Sequence, residues 1–348
     1  MTETILHPEL PIIDPHHHLW DWSARVPHLP PQTHPFDAIL RQSPRYMLEE
    51  LLADTGSGHN VVGTVFVQCG AFYRADGPDA MKPVGETEFV NGVAAMAASG
   101  VYGSTKACAG IVGHADLGLG DAVAAVLDAH IAAGNGRFRG IRHMMAHDPD
   151  PAVLGPLGHA APGLCSDAQV RAAVGHFAAR NLSLDLWVVE PQLPELVGLA
   201  RAFPDVPMVV DHVGTPLGLG VYAGKQQERF AGWAKAILAL ADLPNVHMKL
   251  GGLGMPFPSL PGMGPDIRPS SEQLAALWKP YIETCIEAFG ANRCMFESNF
   301  PVDRWGADYP TLWNAFKRIA AGASDAEKTD LFAGTANRFY RLEGVIQL

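Results

Sequence analysis

Eight times over, the chain alternates between a short β-branched or apolar run and a segment of helical period. The runs lie at 10–18, 60–68, 107–115, 138–146, 182–190, 206–214, 245–252 and 292–300, from "LPIIDPHHH" to "NRCMFESNF". Segments such as "ETEFVNGVAAMAAS" and "SDAQVRAAVGHFAARN" stand between them, several opened by a capping residue and stopped by Gly or Pro. Strands apolar along their whole length are covered on both faces, and alternation with helices makes the sheet parallel. Eight units predict an α/β protein, a (β/α)8 TIM barrel, spanning 1–348 as a single domain. A doubly wound open sheet competes, but no G-x-G-x-x-G follows the first run. The 348 residues exceed the roughly 250 of a typical barrel, and the surplus falls in loops at 19–45, 69–86, 147–166, 214–225 and 252–270.

Net charge is −11 with no Lys/Arg block, which argues against nucleic acid or an anionic membrane as partner. The sequence shows neither an apolar run of membrane-spanning length nor a basic segment leading into an apolar one near Met1, so a cytoplasmic location is expected. Cys69, Cys108, Cys165, Cys285 and Cys294 are scattered and read as reduced thiols. The expected partner is a small-molecule substrate, with a homo-oligomer left open.

In such barrels the chemistry sits at the C-terminal ends of the strands. Polar residues fall there: His16 and His18, Gln68, His114, the stretch 142–147, Glu190, Asp211 and His212, Lys249, then Ser298 and Asn299. His16 and His18 are two apart and share a face, while His17 points away. Such a pair can bind a metal or hydrogen-bond a substrate oxygen. Arg139 and Arg142 face opposite sides, so at most one enters the barrel, where a guanidinium suits a carboxylate. Trp20, Tyr73, Trp187 and Phe300 can wall a ring-shaped pocket, Gln68 can orient substrate, and Lys249 can pair with an acid in the mouth.

The motifs "IIDPHHHLWD", "FRGIRHMM", "VVDHVGTP", "FGANRCMFESNFPVD" and "LFAGTANRFYRL" resemble the amidohydrolase superfamily nearly end to end. The likeness is to its amidohydrolase-related (amidohydrolase 2) family, in the sugar-lactone and 2-pyrone-4,6-dicarboxylate lactonase-like branch. It implies a metal-dependent-hydrolase-like barrel that opens a lactone or similar cyclic ester of a small carboxylated or hydroxylated metabolite. By that likeness His16, His18 and His212 take the family's histidine positions, and Arg142 rather than Arg139 meets substrate. The three histidines would hold one divalent ion, zinc or manganese; without a cofactor they would donate hydrogen bonds to a carbonyl.

One departure stands out: Ser298-Asn299-Phe300-Pro301 replaces the family's Ser-Asp-Trp-Pro, whose Asp is the general base. A carboxamide cannot take that proton, although it can position a water. Asp303, four residues on, is the first substitute, with Glu297, Asp211 or a histidine as alternatives. Strand five offers Asp185 and Trp187 where metal-binding relatives carry His. The expected catalytic set is therefore His16, His18, His212, Asn299 and Asp303; the substrate set is Gln68, Tyr73, Arg142, Trp187 and Lys249. A metal-assisted decarboxylase of the same family, or a binding protein on a decayed barrel, are the competing functions.

Overall fold

A computed structural model describes residues 3–346. Each of the eight predicted runs coincides with one strand: β1 (Pro11–His17), β2 (Asn60–Val67), β3 (Lys106–Gly113, starting one residue before its run), β4 (Phe138–Met144), β5 (Ser183–Trp187), β6 (Met208–Val210), β7 (Val246–Leu250) and β8 (Cys294–Phe296). They pair in parallel and in chain order, as a (β/α)8 barrel requires. The ends of the sheet meet just beyond β8. His17 bridges Phe300, Asn299 N–H donates to His16 O at 2.9 Å, and His18 N–H donates to Phe300 O at 2.8 Å. Outside lie α1 (Leu48–Thr55), α2 (Val84–Ala98), α3 (Val123–Gly134), α4 (Ala168–Val174), α5 (Leu193–Ala202), α6 (Gln226–Ala241), α7 (Ser271–Phe289) and α8 (Tyr309–Ile319).

The larger core lies between strands and helices, and includes Phe66, Ile111, Leu184 and Phe296 from the strands and Trp278 and Trp313 from the helices. A smaller one fills the barrel: Ile13, Val65, Val112, Val209 and Met295 pack with Phe339 and Tyr340 of the C-terminal segment. That segment covers the strands' N-terminal end, and a Cβ on Gly63 or Gly110 would strike Val345 or Leu342 within 3 Å. The opposite end stays open.

Two irregularities shape that open end. The β1 register shifts between Asp14 and His17, which brings His16 inward although Ile13, an odd number of residues away, is also inward. β6 is much shorter than the predicted 206–214, because His212, Val213 and Thr215 have φ of 59°, 47° and 46°. Positive φ is costly for β-branched residues and is typical of strained functional segments. Against the sequence expectation, Leu117–Gly134 is long and apolar enough to cross a membrane by composition. Gly120 breaks its helical path (φ 57°, ψ −134°), and Val123, Val126 and Leu127 of α3 are buried in the core.

Candidate active site

β1 carries His16, the turn after β6 carries Asp211 and His212, and Glu297 directly follows β8; all four are buried. Glu297 ties two of the histidines together. Its Oε1 accepts from His212 Nδ1 at 2.6 Å and from the His212 backbone N–H at 3.1 Å, while Oε2 lies 2.8 Å from His16 Nδ1. Donors approach both ring nitrogens of His16, Arg142 Nη1 at Nε2 (3.3 Å) and Lys249 Nζ at Nδ1 (3.2 Å), so Glu297 alone does not fix its tautomer. The carboxylate sets the tautomer of His212, which keeps its Nε2 lone pair for the cavity it lines. His18 reaches the same state through a backbone partner, with Nδ1 donating to Val67 O at 2.8 Å. Burial, with Lys249 beside His16 and Arg142 beside His18, holds both pKa values well below the usual imidazole range. Both rings are neutral.

Beneath them lies a buried charge network. Lys249 Nζ is 2.8 Å from Asp185 Oδ2 and 3.1 Å from Asp211 Oδ1, and Arg142 Nη1 is 3.7 Å from Asp211 Oδ2. Tyr340 donates its hydroxyl to Asp185 Oδ2 at 2.6 Å, from the far end of the barrel. Burial would raise both carboxyls, as it does Asp185; at Asp211 the pull of Lys249 and its neighbours outweighs burial and holds the pKa low. Charges this deep persist only when paired.

Above this network opens a cavity of about 980 Å³. His18, Arg142, His212 and Asn299 line it, as do Gln68, Tyr73 and Trp187, together with Trp20. His16, Lys249 and Asp303 do not. Lys249 is a counter-ion below the floor, not a substrate ligand, because its ammonium is spent on Asp185 and Asp211. Phe300 packs edge-on against Tyr309, 5.0 Å away, rather than walling the cavity. Arg142 enters the barrel as expected, but its terminal nitrogens bond His16 Nε2 and Gln68 O. Two of its five N–H donors are thereby engaged, while Nε–H has no partner among the described residues.

Asp303 does turn back toward the mouth, and it stops behind Asn299. Its Oδ1 accepts from Asn299 Nδ2 at 2.7 Å and its Oδ2 from Gly254 N–H at 2.9 Å, while burial pushes its pKa up to about 7. These bonds turn Asn299 Oδ1 toward His18 Nε2, 3.3 Å away. The one proton of neutral His18 sits on Nδ1 and is donated in a hydrogen bond to Val67 O, so two acceptors, His18 Nε2 and Asn299 Oδ1, face one another with no proton between them. Such a pair is a seat for a donor such as water. Asp303 positions this seat and has no path to the cavity as a base.

The ligand atoms of His16, Asp211 and His212 all lie within 4.8 Å of one another. This differs from the expected trio, because Asp211 takes the place of His18, whose Nε2 is turned to Asn299. The group suits a divalent ion: two imidazoles anchored at Nδ1 by a carboxylate, plus a carboxylate, is a common donor set with its outer support. The charges agree as well. Asp185, Asp211 and Glu297 oppose only Lys249 and Arg142, leaving one net negative charge. Arg142 competes for the His16 lone pair.

Some contributors were invisible in the sequence. Tyr340 pairs with Asp185 across 155 positions, without any motif linking them. Glu86 accepts from the Cys69 and Ala71 backbone N–H groups at 3.1 and 2.9 Å, holding the loop after β2 against the cavity.

A parallel barrel that gathers imidazoles and carboxylates at its open end has the design of a barrel hydrolase. The chain belongs to the amidohydrolase family, whose model matches residues 13–342. It is 36% identical to the uncharacterized protein y4mH of Sinorhizobium fredii over 96% of this chain and 99% of that protein. It is 30% identical to the L-fucono-1,5-lactonase of Burkholderia ambifaria, over 95% and 96% of the two chains. A solved amidohydrolase from Burkholderia multivorans superposes with a TM-score of 0.70 at 25% identity, covering 95% of this chain and 99% of that one, and has been crystallised with HEPES. A second crystal form holds zinc (TM-score 0.69).

Proposed function

We propose that this amidohydrolase opens a small lactone by addition of water. The observation that carries the reading is the pair of facing acceptors, His18 Nε2 and Asn299 Oδ1, on the cavity floor beside His212. A water donating to both is oriented by the amide and deprotonated by the neutral imidazole as it attacks the carbonyl carbon. Val67 O steadies the resulting imidazolium through Nδ1–H. The ring C–O bond then breaks, and the imidazolium returns its proton to the leaving oxygen, giving a hydroxy acid. Held by His16, Asp211 and His212, one divalent ion, zinc or manganese, would supply a Lewis acid for the carbonyl oxygen. Full-length similarity to a lactonase supports the reading. The test is a lactone panel followed by acid release with a pH indicator, before and after incubation with zinc or manganese, with CO2 release from aromatic acids assayed in parallel. Lactone opening is expected. CO2 release with no lactone opened by any preparation would overturn the proposal in favour of a decarboxylase.

A further inference from the structure

The reacting groups occupy only the inner end of the cavity. His18, Arg142, His212 and Asn299 sit at the strand ends, and the lining continues outward between two loops. The loop after β1 contributes Leu29, Phe36 and Leu40; the β4 side contributes Met144, Leu157 and Leu164. All six are half-buried apolar side chains. Apolar surface left facing water is unfavourable, and covering it drives association.

These walls stand ready before any ligand arrives. A separate core that includes Trp20, Ile39, Val153, Trp187 and Phe257 backs them, and Phe36, Leu40, Met144 and Leu157 pack against it. The Phe257 ring centre lies 5.5 Å from that of Phe36 and 5.9 Å from that of Trp187. The two loops meet at Gly155 (φ 51°), so close to His34 that a Cβ there would come within 2.4 Å of the ring. Trp20 Nε1–H donates to Ser43 O at 2.7 Å, and Asp37 Oδ2 accepts from the Thr33 and His34 N–H groups, each at 2.9 Å. Arg25, Asp37, Arg41 and His159 are the charged or titratable groups bordering this outer part. Asp37 is taken up by its own loop, Arg41 donates to Pro30 O, Arg25 is exposed at the rim over Trp22, and His159 is exposed.

The volume points the same way. About 980 Å³ lies at the upper end of the roughly 300–1,000 Å³ that holds drug-sized ligands, and a single lactone ring over the water seat leaves most of it unfilled. The outer part opens onto the same floor, so its occupant shares one cavity with the reacting carbonyl.

We infer that the space between the loops after β1 and β4 is a subsite for an apolar substituent, so that the substrate is a lactone bearing an alkyl or aryl arm rather than a bare ring. The inference rests on the lactone-hydrolase reading for turnover, but not for binding. The experiment therefore measures both. First, kcat/KM is compared for δ-valerolactone, its propyl, pentyl and heptyl derivatives, its phenyl derivative and an aldonolactone. Second, calorimetry gives the affinity of the matching δ-lactams, which resist hydrolysis. Both quantities should rise about 3-fold per methylene, the scale of one buried CH2, until the space is filled. Leu40→Asn and Leu157→Asn should flatten both slopes, and Leu40→Met and Leu157→Met should keep them. Alkyl and aryl arms support the subsite alike, and the steeper gain names the arm.

Flat slopes in the unaltered protein would overturn the subsite, as would an aldonolactone preferred to every alkyl and aryl lactone. Slopes unchanged in folded Asn variants would do the same, since the gain would then come from elsewhere. Flat slopes with a dimer in sedimentation that Leu157→Asn dissociates would give the space to a second copy of the chain instead. Should the Asn variants fail to fold, the series on the unaltered protein decides alone. Lactam affinity that grows with the arm, without hydrolysis of any lactone, would keep the subsite and remove the lactonase.

Discussion

Replacing Glu297 with Gln separates geometry from chemistry, because the side chain keeps its shape. In the native chain the two carboxylate oxygens face His16 Nδ1 at 2.8 Å and His212 Nδ1 at 2.6 Å, and His212 turns a lone pair outward on Nε2. An amide has one acceptor oxygen and one donor nitrogen. In Glu297→Gln, an NH2 group turned to His212 forces that ring to move its proton to Nε2, turning an acceptor into a donor, and an oxygen turned to His212 leaves the NH2 against His16 beside Lys249. The network also loses a charge, leaving Asp185 and Asp211 against Lys249 and Arg142, and the net charge goes from −1 to 0. Loss of an orienting carboxylate and the tautomer it fixes costs on the order of 10²- to 10⁴-fold in turnover. Loss of outer support for a metal ligand weakens metal retention by about 10–100-fold. The assays are lactone turnover and metal content by mass spectrometry after dialysis, with circular dichroism to establish folding. Wild-type turnover together with wild-type metal retention in a folded Glu297→Gln would refute the assignment of Glu297 as the residue that orients His212 and supports His16.

His18→Ala should lower turnover by about 10²-fold or more, whereas Asn299→Ala, which only loosens the water, should lose about 10-fold; equal losses in steady-state kinetics would count against His18 as the base. Lys249→Met leaves Asp185 and Asp211 buried without their shared cation and should cost about 3–5 kcal/mol in denaturant unfolding; an unchanged midpoint would mean the network is not ionised as described. Burial raises the Glu86 carboxyl to about 7, so the folded chain holds a proton that the unfolded chain releases. Native stability is therefore lost as pH rises from the unfolded value toward 7. Glu86→Gln, which keeps the acceptor for Cys69 and Ala71, should gain on wild type by on the order of 1 kcal/mol per pH unit across that window. A difference that stays flat with pH would refute it.

The barrel was legible because its signal is repeated eight times and each strand is covered on both sides, so apolar runs report it directly. The placement of His16 and His18 on one face was legible from strand period alone. What the period could not carry was local backbone: the register shift in β1, and the positive φ values that cut β6 short and aim His212. Asp303 was found by proximity in sequence, and its role was misjudged because four residues say nothing about which side of Asn299 it reaches. Lys249 was seen as a cation in the mouth; its depth depends on Asp185 and Asp211, contributed by β5 and the turn after β6.

The meeting of β1 with the chain beyond β8 has a consequence for how this protein acquires its site. Asp14 accepts from Ser298 N–H at 3.0 Å and from the Tyr309 hydroxyl at 3.1 Å, partners 284 and 295 residues away. His18 and Asn299, 281 positions apart, face each other across the same seam. Contacts of such sequence separation carry a large loop-closure cost and slow folding. The water seat therefore cannot exist in any half-barrel intermediate, however well its helices have formed. Recovery of helical circular dichroism should run ahead of recovery of activity during refolding, and the lag between them times the closure of the ring.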